Sequence, residues 1–265
     1  MCAASEPEVE IVKVGFHRHR PLSSEGSIRV VDLLSGAKEE VIHCELREVD
    51  LDRDLDDRGA QYEALSYAWG DSHDRNVIQC DGQPLEVTVN CWHALRQLRR
   101  DDGVRTLWID AICIDQSGDR EESTRERNRQ VQLMGRIYQR AARVLAWLGP
   151  EEDAADTPKL FEFFEIARRL PPQIIDSLSD YSRFAIANLY KLLSASMARG
   201  SFERLIAAPW FFRMWTLQEV ALASEVILMT GQWTLDWDTF RRGVCYTRLW
   251  SAVWSTPSRS AFGTT

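Results

Sequence analysis

Three blocks of the sequence set ionisable and aromatic side chains directly against apolar runs. They are Ala64-Leu65-Ser66-Tyr67-Ala68-Trp69-Gly70-Asp71, Leu107-Trp108-Ile109-Asp110-Ala111-Ile112-Cys113-Ile114-Asp115-Gln116 and Pro209-Trp210-Phe211-Phe212-Arg213-Met214-Trp215-Thr216-Leu217-Gln218-Glu219. A carboxylate stabilises a cationic centre, a planar guanidinium grips an anion, and an indole or phenol ring stacks on a flat ligand. An α/β protein delivers such groups from a buried scaffold to one rim, outside the carboxyl ends of its strands. The blocks therefore read as a site and not only as core.

The elements that must position them follow from pattern. Ile28 to Leu34 and Glu40 to Val49 are β-rich runs on either side of a Ser35-Gly36 turn, as in a hairpin or paired edge strands. Asp50 to Arg58 is a solvated acidic loop, and Tyr62 to Trp69 a short buried strand ending at Gly70-Asp71. Val77 to Cys80 and Leu85 to Val89 flank Asp81-Gly82, a type I′ hairpin signal. Asn90 is expected to cap a helix carrying Cys91, Leu95 and Leu98, ended by Arg99, Arg100 and Gly103.

Leu107 to Ile114 reads as a central strand with Asp110 inside it and Asp115 at its carboxyl end. Ser123 and Glu126 form a capping box for a helix with the stripe Val131, Met134, Ile137, Tyr138 and Ala141. A strand at Val144 to Leu148 follows, then a mostly helical stretch over 151–205 broken at Pro171-Pro172 with a polar run near Ser177 to Ser182, a helix over Trp210 to Ala223 and a strand over Glu225 to Gly231. Alternation of strand and helix predicts an α/β fold with a mainly parallel sheet flanked by helices, an added β hairpin, N-terminal strands and a helical insertion.

Composition bounds the function. With 265 residues and 45% apolar content the chain can bury a full core. Its formal charge of −8, with no offsetting Lys/Arg block, repels phosphate backbones, so nucleic acid is not an expected partner. The cysteines (Cys2, Cys44, Cys80, Cys91, Cys113, Cys245) form no C-x-x-C pair, so neither a zinc site nor a disulfide framework is expected and a reducing cytosol fits. The histidines His17, His19, His43, His73 and His93 show no metal spacing and no link to a nucleophile, so no metal is expected. The N-terminus lacks the basic and apolar regions of a signal peptide, and no apolar run approaches membrane-spanning length, so a cytoplasmic protein is expected.

Together with Glu126-Arg127-Asn128-Arg129-Gln130-Val131-Gln132-Leu133-Met134-Gly135-Arg136-Ile137-Tyr138, the three blocks closely resemble the fungal heterokaryon-incompatibility (HET) domain over about 62–231. The resemblance implies an effector of programmed cell death in non-self recognition when incompatible fungal cells fuse. On this reading 1–27 is an N-terminal segment, 28–254 a single domain with its insertion at about 151–205, and 255–265 a polar tail or the start of a linker.

A shorter stretch points further. Leu65-Ser66-Tyr67 before a Gly-Asp turn resembles the first strand of TIR domains, whose fold is flavodoxin-like. Trp215-x-x-x-Glu219 is similar to the Trp-x-x-x-Glu of TIR domains that cleave NAD, in which the glutamate is catalytic. The hairpin and the helical insertion depart from a plain TIR domain.

That resemblance implies an NAD glycohydrolase, with NAD as substrate and no cofactor required. Glu219 would stabilise the oxocarbenium-like sugar, Tyr67, Trp69 or Trp215 would stack on a base, and Arg127 or Arg213 would meet the pyrophosphate. Asp71, Asp110 and Asp115 complete the candidate substrate-binding set.

Each has a structural alternative. Glu219 could simply pair with Arg213, Asp110 could be a buried carboxylate satisfied by backbone N–H groups or an arginine, and Asp115 could cap the next segment. Trp108, Trp147, Trp210 and Phe211 read as core. Arg125, Arg127 and Arg129 crowd a helix N-terminus and call for an acidic neighbour or a bound phosphate. A Cys113 protease is discarded, because an apolar run suppresses the thiolate. Self-association and a regulatory partner protein are the expected triggers. The alternatives are a non-enzymatic death-signalling interaction module and a nucleotide sensor without turnover, and the nucleotide could be NADP or ATP.

Overall fold

A computed structural model describes residues 16–52, 62–118, 121–150, 157–169 and 198–254, with side chains described to 245 in the last stretch. The Pro171-Pro172 break, the Ser177 to Ser182 run and the 255–265 tail lie outside the described residues, as does most of the Asp50 to Arg58 loop.

Strands β1 (Ser27–Leu33), β2 (His43–Asp50), β3 (Glu63–Tyr67), β4 (Arg75–Cys80) and β5 (Gln83–Thr88) precede helix α1 (Val89–Leu98). Strand β6 (Arg105–Trp108), the one-turn helix α2 (Asp110–Cys113), the long helix α3 (Glu121–Arg140) and β7 (Val144–Trp147) follow. The remainder comprises α4 (Thr157–Arg169), α5 (Ala198–Ile206), a 3-10 turn (Pro209–Phe212), α6 (Thr216–Leu222), β8 (Val226–Thr230), β9 (Trp233–Asp236) and α7 (Trp237–Trp254).

The described strands form one nine-stranded mixed sheet in the order β5-β4-β2-β1-β6-β3-β7-β8-β9. Its centre, β6-β3-β7-β8, is parallel throughout, with Ala64 opposite both Trp108 and Val144 and Leu145 opposite Ile227. Strands β3 and β7 are almost continuously buried, as expected where a parallel sheet is covered on both faces. Strand β2, by contrast, alternates between exposed and buried positions over its first three residues.

The N-terminal strands are not at an edge. Strand β1 pairs antiparallel with β2 on one side and β6 on the other, and β2 pairs parallel with β4. The hairpin forms as its turn chemistry requires, β4 and β5 closing through Asp81 (φ 51°) and Gly82 (φ 73°), both left-handed.

Three local expectations are corrected. Leu107 to Ile114 is not one strand: the strand ends at Trp108 and Asp110 starts a helical turn, its carboxylate accepting from the Ala111 N–H at 2.7 Å. An apolar run buried all round does not distinguish strand from helix, and here an acid able to bind its own turn decides the break. Helix α1 is capped by Thr88, whose hydroxyl accepts from the Cys91 N–H, and Asn90 instead lies within its first turn. The Trp210 to Ala223 helix is two pieces, a 3-10 turn behind Pro209 and helix α6, separated where Arg213 is extended.

The capping-box pairing at Ser123 and Glu126 is also replaced. Helix α3 begins at Glu121, Ser123 donates to Asp115 at 2.8 Å, and Glu126 takes a two-pronged pair from Arg29 at 2.6 and 2.9 Å. Val131, assigned to the apolar stripe of that helix, is exposed.

Candidate functional site

Strand β3 lies between β6 and β7, the strands that precede and follow α3. The chain therefore changes sides around β3, and the carboxyl ends of β3 and β6 border the crevice expected of a doubly wound sheet. The first two blocks end there, β3 running into Trp69 and β6 into Asp110. The third is brought in by helix packing: α6 crosses α3 at Gly135, where a Cβ would stand 2.8 Å from the Gln218 amide nitrogen and 3.4 Å from Leu222. The absent side chain lets α6 approach, and its next residue after Gln218 is Glu219.

Glu219 is only 1% exposed. Its Oε2 accepts a hydrogen bond from the Ser66 hydroxyl, which in turn accepts from the Trp210 indole N–H at 2.6 Å. Its Oε1 lies 3.6 Å from Arg213 Nη2 and has no hydrogen-bond partner, and Arg213 Nη1 is likewise buried without one. Burial raises the Glu219 carboxyl above its ordinary value; Ser66, Arg213 and Tyr138 pull it back down, while neighbouring Asp110 pushes it further up. Trp215 begins the same turn, its carbonyl accepting from the Glu219 N–H at 3.1 Å, and its own ring is 52% exposed.

Asp110 occupies the other side of this centre. It accepts from the Trp69 indole at 2.8 Å, and burial raises its carboxyl while Trp69, Ala111 and the Arg213 charge oppose the rise. The Tyr67 hydroxyl beside it is fully buried without a well-formed hydrogen bond, and burial raises its pKa well above the usual value. Asn90 braces the end of β3, donating to the Ala68 carbonyl at 2.6 Å and accepting from the Trp147 indole at 2.9 Å.

The structure thus gathers Tyr67, Trp69, Asp110, Arg213 and Glu219 into one cluster, with Trp215 on the surface one turn before Glu219. Asp71 is exposed in the turn after β3, where it accepts from the His73 N–H at 2.8 Å. Asp115 belongs to a separate knot, holding the Ser117 N–H and hydroxyl at 2.9 and 2.7 Å and Ser123 at 2.8 Å, with His19 Nδ1 at 3.9 Å. Burial alone would raise Asp115, but these hydrogen bonds hold it down to about 2. Arg127 lies beside Gly118 on that same side, Arg125 pairs with Glu121 at 2.5 Å, and Arg129 lines a cavity of about 350 Å³ with Asp115 and His19.

Sequence reasoning passed over Ser66, Tyr138 and Trp210 as parts of this centre. The available signal was Ser66, a small hydroxyl in the buried stretch Ala64 to Tyr67, which must find a partner. A buried carboxylate with one oxygen held by a hydroxyl and the other facing an arginine can stabilise positive charge and accept from a ligand hydroxyl. Trp69, 40% exposed, reaches from the surface to Asp110, and the exposed Trp215 stands one turn before Glu219.

Comparison with known proteins places these features in one family. Residues 62–219 match the family model described as heterokaryon incompatibility protein (HET), a span that begins just before β3 and ends at Glu219. The chain is similar to heterokaryon incompatibility protein 6, OR allele, of Neurospora crassa, at 32% identity over 201 residues, covering 64% of this chain and 28% of that relative. It therefore spans less than a third of that relative's length. No solved structure matches. The chain belongs to the heterokaryon incompatibility (HET) family.

Proposed function

We propose that this chain is a cell-death effector domain of fungal non-self recognition, and that it acts as a TIR-like NAD glycohydrolase centred on Glu219. The observation that carries the reading is the incompletely satisfied pair in the crevice. Glu219 Oε1 and Arg213 Nη1 are both buried without hydrogen-bond partners. Buried polar groups left open in this way are costly, and they concentrate where a ligand completes them. A ribose diol offers a donor to the carboxylate oxygen and an acceptor to the guanidinium. The central order β6-β3-β7-β8 supports the TIR-like reading, since it is the 2-1-3-4 order of flavodoxin-type sheets.

In the proposed reaction the nicotinamide–ribose bond breaks and its electron pair leaves with neutral nicotinamide. The ionised Glu219 stabilises the cationic sugar, Tyr67, Trp69 or Trp215 stacks on a flat ring, and water completes the substitution with release of a proton. Asp110, raised by burial, tunes the field around Glu219. The closed crevice is a resting state. Movement of the extended stretch between the 3-10 turn and α6 would admit substrate, and self-association or a regulatory partner would drive it.

A second reading has its own support. Phe212, Met214, Trp215 and Leu217 are 77, 84, 52 and 76% exposed in neighbouring positions, and such a strip suits a module that recruits another protein without turnover. Expression of the protein and of Glu219→Gln in fungal cells, with cell death and cellular NAD followed together, separates the two. The glycohydrolase reading expects NAD loss and death with the parent and neither with the variant. Undiminished death with Glu219→Gln at equal protein level would favour the recruiting module.

A further inference from the structure

Toward the other end of the sheet the fold brings together three residues that are far apart or unremarkable in sequence. Strands β2 and β4 run parallel with Cys44 opposite Cys80, and Asp81 follows Cys80 into the hairpin turn. The chain arriving from the N-terminus is tied to that hairpin by the His17 N–H, which donates to the Pro84 carbonyl at 2.9 Å. As a result a ring nitrogen of His17, the Cys80 sulfur and a carboxylate oxygen of Asp81 all lie within 4.8 Å of one another.

The potential ligand atoms are left open to different degrees. His17 is 5% exposed at its side chain, and neither ring nitrogen has a hydrogen-bond partner, although Nδ1 stands 3.8 Å from Asp81 Oδ2. An imidazole buried with both nitrogens open is costly unless something completes it. Asp81 is anchored through Oδ1, which accepts from the Leu46 N–H at 3.0 Å, and this leaves Oδ2 turned to His17. Cys80 is fully buried and lies directly opposite Cys44 across the β2–β4 pairing. An S–H donor beside Cys80 would steady a thiolate there, as outer-shell donors do for metal ligands.

We propose that His17, Cys80 and Asp81 form a binding site for a borderline-soft divalent cation, zinc foremost. Tetrahedral zinc with one nitrogen, one sulfur and one oxygen ligand needs ligand atoms about 3.3 to 3.7 Å apart. The His17–Asp81 separation of 3.8 Å is already close to that, and the Cys80 sulfur lies within 4.8 Å of both ligand atoms. His17 and Asp81 also line a cavity of about 590 Å³, which provides the entry path and leaves the fourth position to water or a further ligand. Binding displaces the Cys80 thiol proton to solvent and fastens the segment around His17 onto the β4–β5 hairpin. The Glu219 crevice is built from other strands and does not enter this proposal.

The full chain, freed of metal and titrated with Co²⁺ and then Zn²⁺, tests it. The expected result is one equivalent of Co²⁺ giving the intense near-ultraviolet thiolate charge-transfer band, displaced by Zn²⁺ and lost in Cys80→Ser. His17→Gln and Asp81→Asn, with unchanged circular dichroism, should each weaken binding by about tenfold or more. Neither change removes an apolar side chain from the core, so they decide the matter if Cys80→Ser does not fold. Absence of the thiolate band in the parent, or unchanged affinity in both His17→Gln and Asp81→Asn, would overturn the site.

Discussion

Glu219 is held between opposing forces, and its titration reports them. Burial raises its carboxyl above the unfolded value, so in the folded state it keeps its proton to higher pH than in the unfolded chain. Stability that depends on the neutral form is therefore lost as pH rises from the ordinary carboxylate range through the raised value. Glu219→Gln should consequently gain stability relative to the parent as pH increases from about 4 to 8, measured by thermal unfolding. A parent–variant difference that stays flat with pH would contradict this balance. Cleavage, which needs the ionised form, should rise with pH through the same raised value.

Asp115 shows the opposite sign. Its carboxyl is held at about 2, below the unfolded value, so its stabilisation is present above the unfolded pKa and fades as pH falls toward 2. Asp115→Asn should cost roughly 1 to 3 kcal/mol near neutral pH and little at pH 2, by denaturant unfolding at both values. Equal cost at both would show that Asp115 acts through shape rather than charge.

At the level of elements, close helix contacts set the geometry. A Cβ on Gly243 in α7 would fall 2.5 Å from two ring carbons of Phe164 and 3.2 Å from Phe163 in α4. Those rings are buried and rigid, so Gly243→Ala should destabilise by about 1 to 3 kcal/mol in urea, and an unchanged midpoint would contradict the packing. Gly135→Ala meets mainly the mobile end of Gln218 and should be much milder.

The sequence made some elements plain and hid others for related reasons. Asp81-Gly82 fixed its hairpin because only a few residues accept two left-handed positions. Leu107 to Ile114 misled because Asp110 ends the strand through a bond to its own turn, which an apolar pattern does not encode. Within the site, Tyr67, Trp69, Asp110, Arg213, Trp215 and Glu219 were legible as ends of apolar runs. Asp115 and Arg127 were not separable from them, because spacing along the chain does not say that the first turns of α3 meet Asp115 at a different knot. His17 was invisible as a neighbour of Cys80 and Asp81, since only its backbone bond to the Pro84 carbonyl brings it to the hairpin.

The whole molecule joins a shut crevice to an exposed apolar strip. Glu219 is covered while Met214 and Leu217, on the same short stretch of chain, face outward. On the proposed reading, assembly through that strip would act on the same short stretch of chain that carries Glu219. Met214→Glu combined with Leu217→Glu should abolish concentration-dependent association in sedimentation and lower toxicity, with stability changed by no more than about 0.5 kcal/mol. Association undiminished by these changes would place the interface elsewhere. No helix among the described residues is long and apolar enough to cross a membrane.

The most direct measurement is nicotinamide release from NAD by the purified protein, at low and high protein concentration, beside a Glu219→Gln variant shown to be folded. Release that grows more than proportionally with protein concentration, and that falls by about a hundredfold or more in the variant, is the predicted result. No release from the parent even when it is forced to assemble, or equal release from Glu219→Gln, would contradict a glycohydrolase centred on Glu219.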